Sequence, residues 1–182
     1  MKKSALIILH PDFEEIEAVT PIDLLSRAGI HVEQAALGDT RFVTGRSGIT
    51  LEAATLLDDV IDDEYDAIII PGGPGIQQLR KHPAICALLR RQFSQKKIIG
   101  CICAAPLLLL DAGLIDQIKY TAYPATENEL PLARHEPVVI DGPIITSRGA
   151  GTAIEFGLAL VASLTDKTTS KVIGDSIVWP RN

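Results

Sequence analysis

The stretch "IIGCICAAPLLLL", Ile98 to Leu110, holds two of the chain's three cysteines. A thiol does chemistry as a thiolate nucleophile, and a turn from strand into helix is a place that favours one. In "KKIIGCICAAPLLLLDAG" the spacing predicts a strand from Ile98 to about Ile102. A helix then follows from near Ala104, with Pro106 in its first turn and Gly113 closing it. Cys103 falls on the junction. A strained bend there turns the side chain out of the sheet, and the helix N-terminus favours the anionic sulfur and lowers its pKa. Small residues, Ala104 and Ala105, leave room for such a bend. The pattern resembles a nucleophile elbow without its glycines, whose places are taken by Cys101 and Ala105. Position alone leaves a second reading open, with Cys103 as a small core residue. Cys101 within the strand, and Cys86 beside Leu89 on the apolar face of "HPAICALLRR", read as core.

Two further stretches bear on that thiol. "AIIIPGGPG", Ala67 to Gly75, is a buried strand running into a glycine turn. If it lies beside the Cys103 strand, the backbone N–H groups of Gly73 and Ala104 converge next to the sulfur, as an oxyanion hole requires. A turn that needs positive φ explains the same glycines. In "FEEIEAVTPIDLL" two of three glutamates suit the field at a helix N-terminus. Glu17 instead lies on a stripe with Pro21, Leu24 and Ala28. A carboxylate so placed takes a partner or stays protonated, and a protonated Glu17 can donate to a thiolate. A solvated helix start would give the same pattern.

These residues need a scaffold that brings strand ends together. Apolar runs recur as "SALIIL", "IHVEQAAL", "AIII", "KIIGC", "KYTA", "PVVI" and "PIITS". Helix-length segments at 14–27, 83–95, 104–111 and 152–164 separate several of them. That alternation predicts an α/β fold, a doubly wound, mostly parallel sheet with helices on both faces and ligands at the strands' carboxyl ends. "FVTGRSGITLE" reads as a short hairpin, and "VVIDGPIITS" as another turning at Asp141-Gly142. "TSRGAGTAIEFGLAL" reads as a glycine loop capped by Thr152 and entering a helix, with Gly149 and Gly151 allowing close packing near the cysteine. Arg148 reads chiefly as fixing that loop, with the site or a neighbouring subunit also in reach. His10, ending the first strand, reads as a loop residue or as part of the site rim.

Bulk properties narrow the function. The chain has 182 residues, 47% hydrophobic and 22% charged, with a mean hydropathy of +0.23. One domain spanning 1–182 with a substantial core is expected. A net charge of −6 argues against a nucleic-acid partner, and "LRRQFSQKK" reads as a solvated helix face and end. No apolar run reaches the ~20 residues that cross a bilayer, and "MKKSALIIL" reads as a first strand rather than a signal peptide. Three cysteines, two of them one residue apart, form neither a disulfide framework nor a zinc site. A reducing, cytoplasmic setting follows, with no metal.

Taken in order and spacing, "EEIEAV", "IPGGPG", "CICAAP" and "ITSRGAGTAIEFGLAL" resemble the ThiJ/PfpI superfamily, closest to its DJ-one/YajL branch, over Lys3 to about Val178. The resemblance implies a flavodoxin-like sheet and a homodimer. By position it makes Cys103 the reactive, oxidation-prone cysteine, Glu17 its hydrogen-bonding carboxylate, and Gly73 and Ala104 the oxyanion-hole amides, with Gly72 beside them. Two departures stand out. Where some members carry histidine in a T-H-P context, "TAYPATE" places Tyr123, which cannot serve as an imidazole base near neutrality. The residue after the cysteine is Ala104, not the histidine of proteolytic relatives, and "RHEP" lacks the H-x-E spacing of amidotransferases. The implied activity is cofactor-free glyoxalase or deglycase chemistry on a small carbonyl or glycated substrate. The alternative is an oxidation-sensing stress protein or chaperone whose cysteine stops at sulfinate.

Overall fold

In the computed structural model, which describes residues 3–180, the strands are β1 (Ser4–Leu9), β2 (His31–Ala36), β3 (Phe42–Thr44), β4 (Thr50–Glu52), β5 (Thr55–Leu56), β6 (Ala67–Ile70), β7 (Ile98–Ile102), β8 (Val138–Asp141) and β9 (Ile144–Ser147). Seven of them form one sheet in the order β5-β2-β1-β6-β7-β9-β8. β3 and β4 make a separate hairpin. Within the large sheet only β8–β9 is antiparallel. The strand order reverses between β1 and β6, so the crevice at their carboxyl ends is where this architecture places ligands.

The helices are α1 (Glu15–Arg27), α2 (Leu57–Val60), α3 (Ile76–Leu79), α4 (Ile85–Ser94), α5 (Pro106–Asp111), α6 (Ala153–Leu164) and α7 (Lys167–Ser176). Because strand side chains alternate, each central strand feeds two cores. Leu6, Ile8, Ile68 and Ile70 pack with Leu88 and Leu89 of α4 and Leu107 and Leu108 of α5. Ala5, Ile7 and Ile69 pack on the other face with Leu24 and Leu25 of α1 and Phe156 and Leu160 of α6. Burial on both faces explains why these strands read as unbroken apolar runs. Gly157 lets α6 settle on α1, since a Cβ there would stand 2.6 Å from Leu24 Cδ1. That close packing fixes the height of α1 over the sheet, and with it the position of Glu17.

Four expectations are corrected. "KYTA" is no strand: Thr121 makes a single bridge to Arg134, because β9 already occupies the open edge of β7. The β8–β9 register pairs Asp141 with Ile144, so the turn is Gly142-Pro143, with Gly142 at φ +56°. Thr152 stands at the N-cap position of α6 but its side chain makes no cap hydrogen bond; its hydroxyl donates instead to the Gly149 carbonyl at 2.8 Å and pairs with Ser147 Oγ at 2.7 Å. Cys86 is half-buried, packed against the α4–α5 core rather than within it. Helix α7 was not legible as a helix in the sequence.

Candidate active site

Strand β7 ends at Ile102 and α5 begins at Pro106, so Cys103 sits on the turn between them. Its φ is +64°, the left-handed region, which costs a non-glycine residue on the order of 1 kcal/mol. The surroundings hold it there. The Cys103 N–H donates to the Ser147 carbonyl at 2.9 Å, and its own carbonyl accepts from the Tyr123 N–H at 2.8 Å. Pro106 occupies the first position of α5, and Gly113 at φ +71° closes that helix.

Beneath this turn lies Glu17, on the first turn of α1 and 1% exposed. One carboxyl oxygen, Oε2, accepts the Gly72 N–H at 2.8 Å, and the carboxyl also hydrogen-bonds the Cys103 thiol. Gly72 is glycine of necessity, since a Cβ would lie 2.6 Å from Cys103 Cβ, 2.8 Å from Glu17 Oε2 and 2.9 Å from the Ala104 nitrogen. Gly73 follows at φ +110°. Its backbone amide and that of Ala104 both lie against the sulfur as donors. The four residues singled out around the thiol thus meet at one point.

The electrostatics depart from the expectation of a simply acidic thiol. Burial first, then the Glu17 charge and the Glu17 hydrogen bond, push Cys103 up to about 12; the Ala104 and Gly73 amides pull it down. α5 is only six residues long and opens with proline, so little helix field reaches the sulfur. Burial raises Glu17 to about 7, against the Gly72 and Cys103 hydrogen bonds. Those raising contributions from Glu17 exist only while it is ionised. With the proton on Glu17, the charge contribution vanishes and the hydrogen-bond contribution reverses, since its O–H then donates to a thiolate. The two groups therefore share one proton and titrate as a pair.

The pair opens into a cavity of about 500 Å³, lined also by Glu14, Arg46, Gly73, Gln77, Tyr123 and Thr126. Arg46, on the β3–β4 loop, reaches Glu14 Oε2 at 3.0 Å. No local pattern signals this ion pair in the cavity lining, because it joins residues 32 apart. Tyr123 is half exposed at the rim. Arg148 does not line this cavity; it donates to His135 Nδ1 at 3.0 Å, a hydrogen bond within the loop region in place of a salt bridge. His10 is neither a loose loop residue nor part of the rim. It is fully buried under the glycine turn. Among the described residues no cluster of metal-ligating side chains is found, and no helix is long and apolar enough to cross a membrane.

Comparison with known proteins agrees with this geometry. The model of the DJ-1/PfpI family matches residues 3–163. The chain belongs to that family. It is 38% identical to the glutathione-independent glyoxalase DJR-1.2 of Caenorhabditis elegans, covering 93% of this chain and 94% of that protein. It is 40% identical to protein DJ-1 homolog B of Arabidopsis thaliana over 86% of this chain, but spans only 36% of that longer protein. The structure superposes on oxidised DJ-1 of Toxoplasma gondii with a TM-score of 0.93 at 36% identity, covering 98% of this chain and 100% of that one. The flavodoxin-like fold of this DJ-1/PfpI member is therefore that of DJ-1 proteins.

Proposed function

We propose that this DJ-1/PfpI chain is a cysteine-dependent, cofactor-free enzyme acting on reactive 2-oxoaldehydes such as methylglyoxal, or on early glycation adducts. The observation that carries the reading is the buried Glu17 carboxyl set against the Cys103 thiol beneath the Gly73 and Ala104 amides. With the proton on Glu17, the Cys103 thiolate adds to the aldehyde carbon. The Ala104 and Gly73 N–H groups receive the developing alkoxide, which Glu17 protonates to give a hemithioacetal. The resulting Glu17 carboxylate removes the proton from that carbon and returns it to the adjacent carbonyl carbon, while the hemithioacetal hydroxyl proton passes, through the enediol, to the former carbonyl oxygen. The product is a thioester bearing a hydroxyl. Water attacks the thioester, releasing the 2-hydroxy acid and restoring the thiol. For methylglyoxal the sum is addition of one water to give lactate, with no net oxidation.

The name of the nematode relative as a glyoxalase supports this reading. The test is conversion of methylglyoxal to lactate by the wild type and by Cys103→Ser; equal rates overturn it. A second reading, an oxidation sensor or stress chaperone, is favoured by the same hydrogen bond, which would hold a sulfinate oxygen. Gain of two oxygens at Cys103 under mild peroxide, without carbonyl turnover, would select it.

A homodimer is part of the proposal. Ile16 and Val19 on α1 and Phe42 and Ile49 on or beside the β3–β4 hairpin are exposed large apolar side chains, which a subunit interface would cover. The three free thiols support a reducing, cytoplasmic setting.

A further inference from the structure

His10 directly follows β1, with a side chain of 0% exposure and no role in the proposed reaction. Both ring nitrogens face backbone carbonyls. Nδ1 is 3.0 Å from the Pro11 oxygen, and Nε2 is 3.1 Å from the Pro71 oxygen. These carbonyls belong to the two loops that build the site. The first leads into α1 and Glu17; the second continues as Gly72 and Gly73. Gly75 rests on the Pro11 carbonyl and the imidazole together: a Cβ would run into the Pro11 oxygen and stand 2.6 Å from Nδ1, which accounts for the last glycine of "PGGPG".

A neutral imidazole has one N–H, so only one carbonyl receives a hydrogen bond. Burial lowers the ring's pKa, opposed by the two carbonyls and by the charge of Asp12, so the ring is neutral near pH 7. The contact with Pro71 is buried, whereas that with Pro11 is only partly so. An unpaired carbonyl is costly where water is excluded and cheap where water reaches it. The proton therefore belongs on Nε2, directed at Pro71.

We propose that His10 is a positioning residue for the reactive cysteine: its Nε2–H clasps the Pro71 carbonyl and so keeps the Gly73 amide against the Cys103 sulfur. The Pro71–Gly73 segment is then tied at three points. His10 holds Pro71, the Gly72 carbonyl accepts the Glu14 N–H at 3.0 Å, and the Gly72 N–H holds Glu17. This rests on the reading of Cys103 as the reactive group, and its test is independent of carbonyl turnover.

The test uses two amides of different reach. The side-chain nitrogen of His10→Gln falls near the Nε2 position, and that of His10→Asn near Nδ1. The readout is the pH profile of Cys103 alkylation by iodoacetamide, followed on its own peptide, with thermal midpoints measured alongside. His10→Gln is expected to keep the wild-type rate within about twofold. His10→Asn, having lost a donor to the segment that carries an oxyanion amide, should slow alkylation about tenfold. An unchanged profile in both variants overturns the proposal. So does an equal change in both that tracks their loss of stability. Should either variant fail to fold, the ¹⁵N shifts of the wild-type ring decide: protonation at Nε2 is expected, and protonation at Nδ1 overturns the assignment. Loss of turnover with this pattern of alkylation intact would count against the proposed reaction alone.

Discussion

The backbone amide of Gly72 holds the carboxyl of Glu17 at 2.8 Å, directly beneath the Cys103 turn. That bond keeps the acid from rotating away from the thiol. It also means that the proton Glu17 carries has one productive neighbour, the sulfur.

The shared proton makes the alkylation of Cys103 a two-step function of pH. The first rise accompanies loss of the pair's first proton, near the pH of about 7 to which Glu17 is raised. The second lies towards about 12, where the thiol next to an ionised Glu17 gives up its proton. Glu17→Gln removes the charge that holds the thiol up, so a single step well below the upper one is expected. Thiolate absorbance and alkylation rate measured together check this. An identical two-step profile in Glu17→Gln would defeat the shared-proton account.

Stability carries the opposite signature. The folded pKa of Glu17 is raised from 4.5 to about 7, so the folded state binds its proton more tightly than the unfolded chain does. The corresponding stabilisation is complete below pH 4.5 and is lost as pH rises through about 7. Glutamine cannot ionise and loses nothing. Relative to the wild type, Glu17→Gln should therefore gain on the order of 3 kcal/mol between acid and mildly alkaline pH. Denaturant unfolding across that range measures the gain; a difference independent of pH would contradict it.

Gly72→Ala forces a methyl into contact with the Cys103 Cβ, the Glu17 carboxyl and the Ala104 nitrogen together. Overpacking of this kind costs about 1–3 kcal/mol. Cys103 alkylation should fall more steeply than stability does, because the displaced atoms are those of the site. Thermal midpoint and alkylation rate, read side by side, distinguish this from a general loosening.

Tyr123 meets the site through its backbone, whose N–H holds the Cys103 carbonyl, while its side chain stands half exposed at the cavity rim. Removing its hydroxyl should then matter little. Tyr123→Phe is expected to keep methylglyoxal turnover within about twofold of wild type, an effect well below the 10²–10⁴-fold of a lost general base. A loss in that larger range would assign the phenol a proton-transfer role.

The core of the site could be read from the chain because its signals are local. β7, the Cys103 turn, Pro106 and Gly113 lie within sixteen consecutive residues, and Glu17 stands out as an acid on an apolar stripe. The Arg46–Glu14 pair and the seat of His10 depend on loops brought together by β1, β6 and the β3–β4 hairpin, so no local pattern announces them. The acidity of Cys103 is hidden from the sequence for the same reason. The turn that lowers it is visible in sequence, but the burial and the anionic neighbour that outweigh the turn are tertiary facts. "KYTA" has strand composition, but β9 fills the place beside β7. Helix α7, "KTTSKVIGDS", buries only Ile173 and Gly174, too narrow a stripe to show periodicity.

The left-handed backbone at residue 103 gives a means of telling retained chemistry from relic. Glycine occupies such a conformation without penalty and asparagine with little, whereas cysteine is disfavoured there. A lineage released from selection on the thiol would drift towards those cheaper residues and become more stable for it. Persistence of cysteine at this φ among homologues would mark a position where usefulness outweighs the pull of conformational ease.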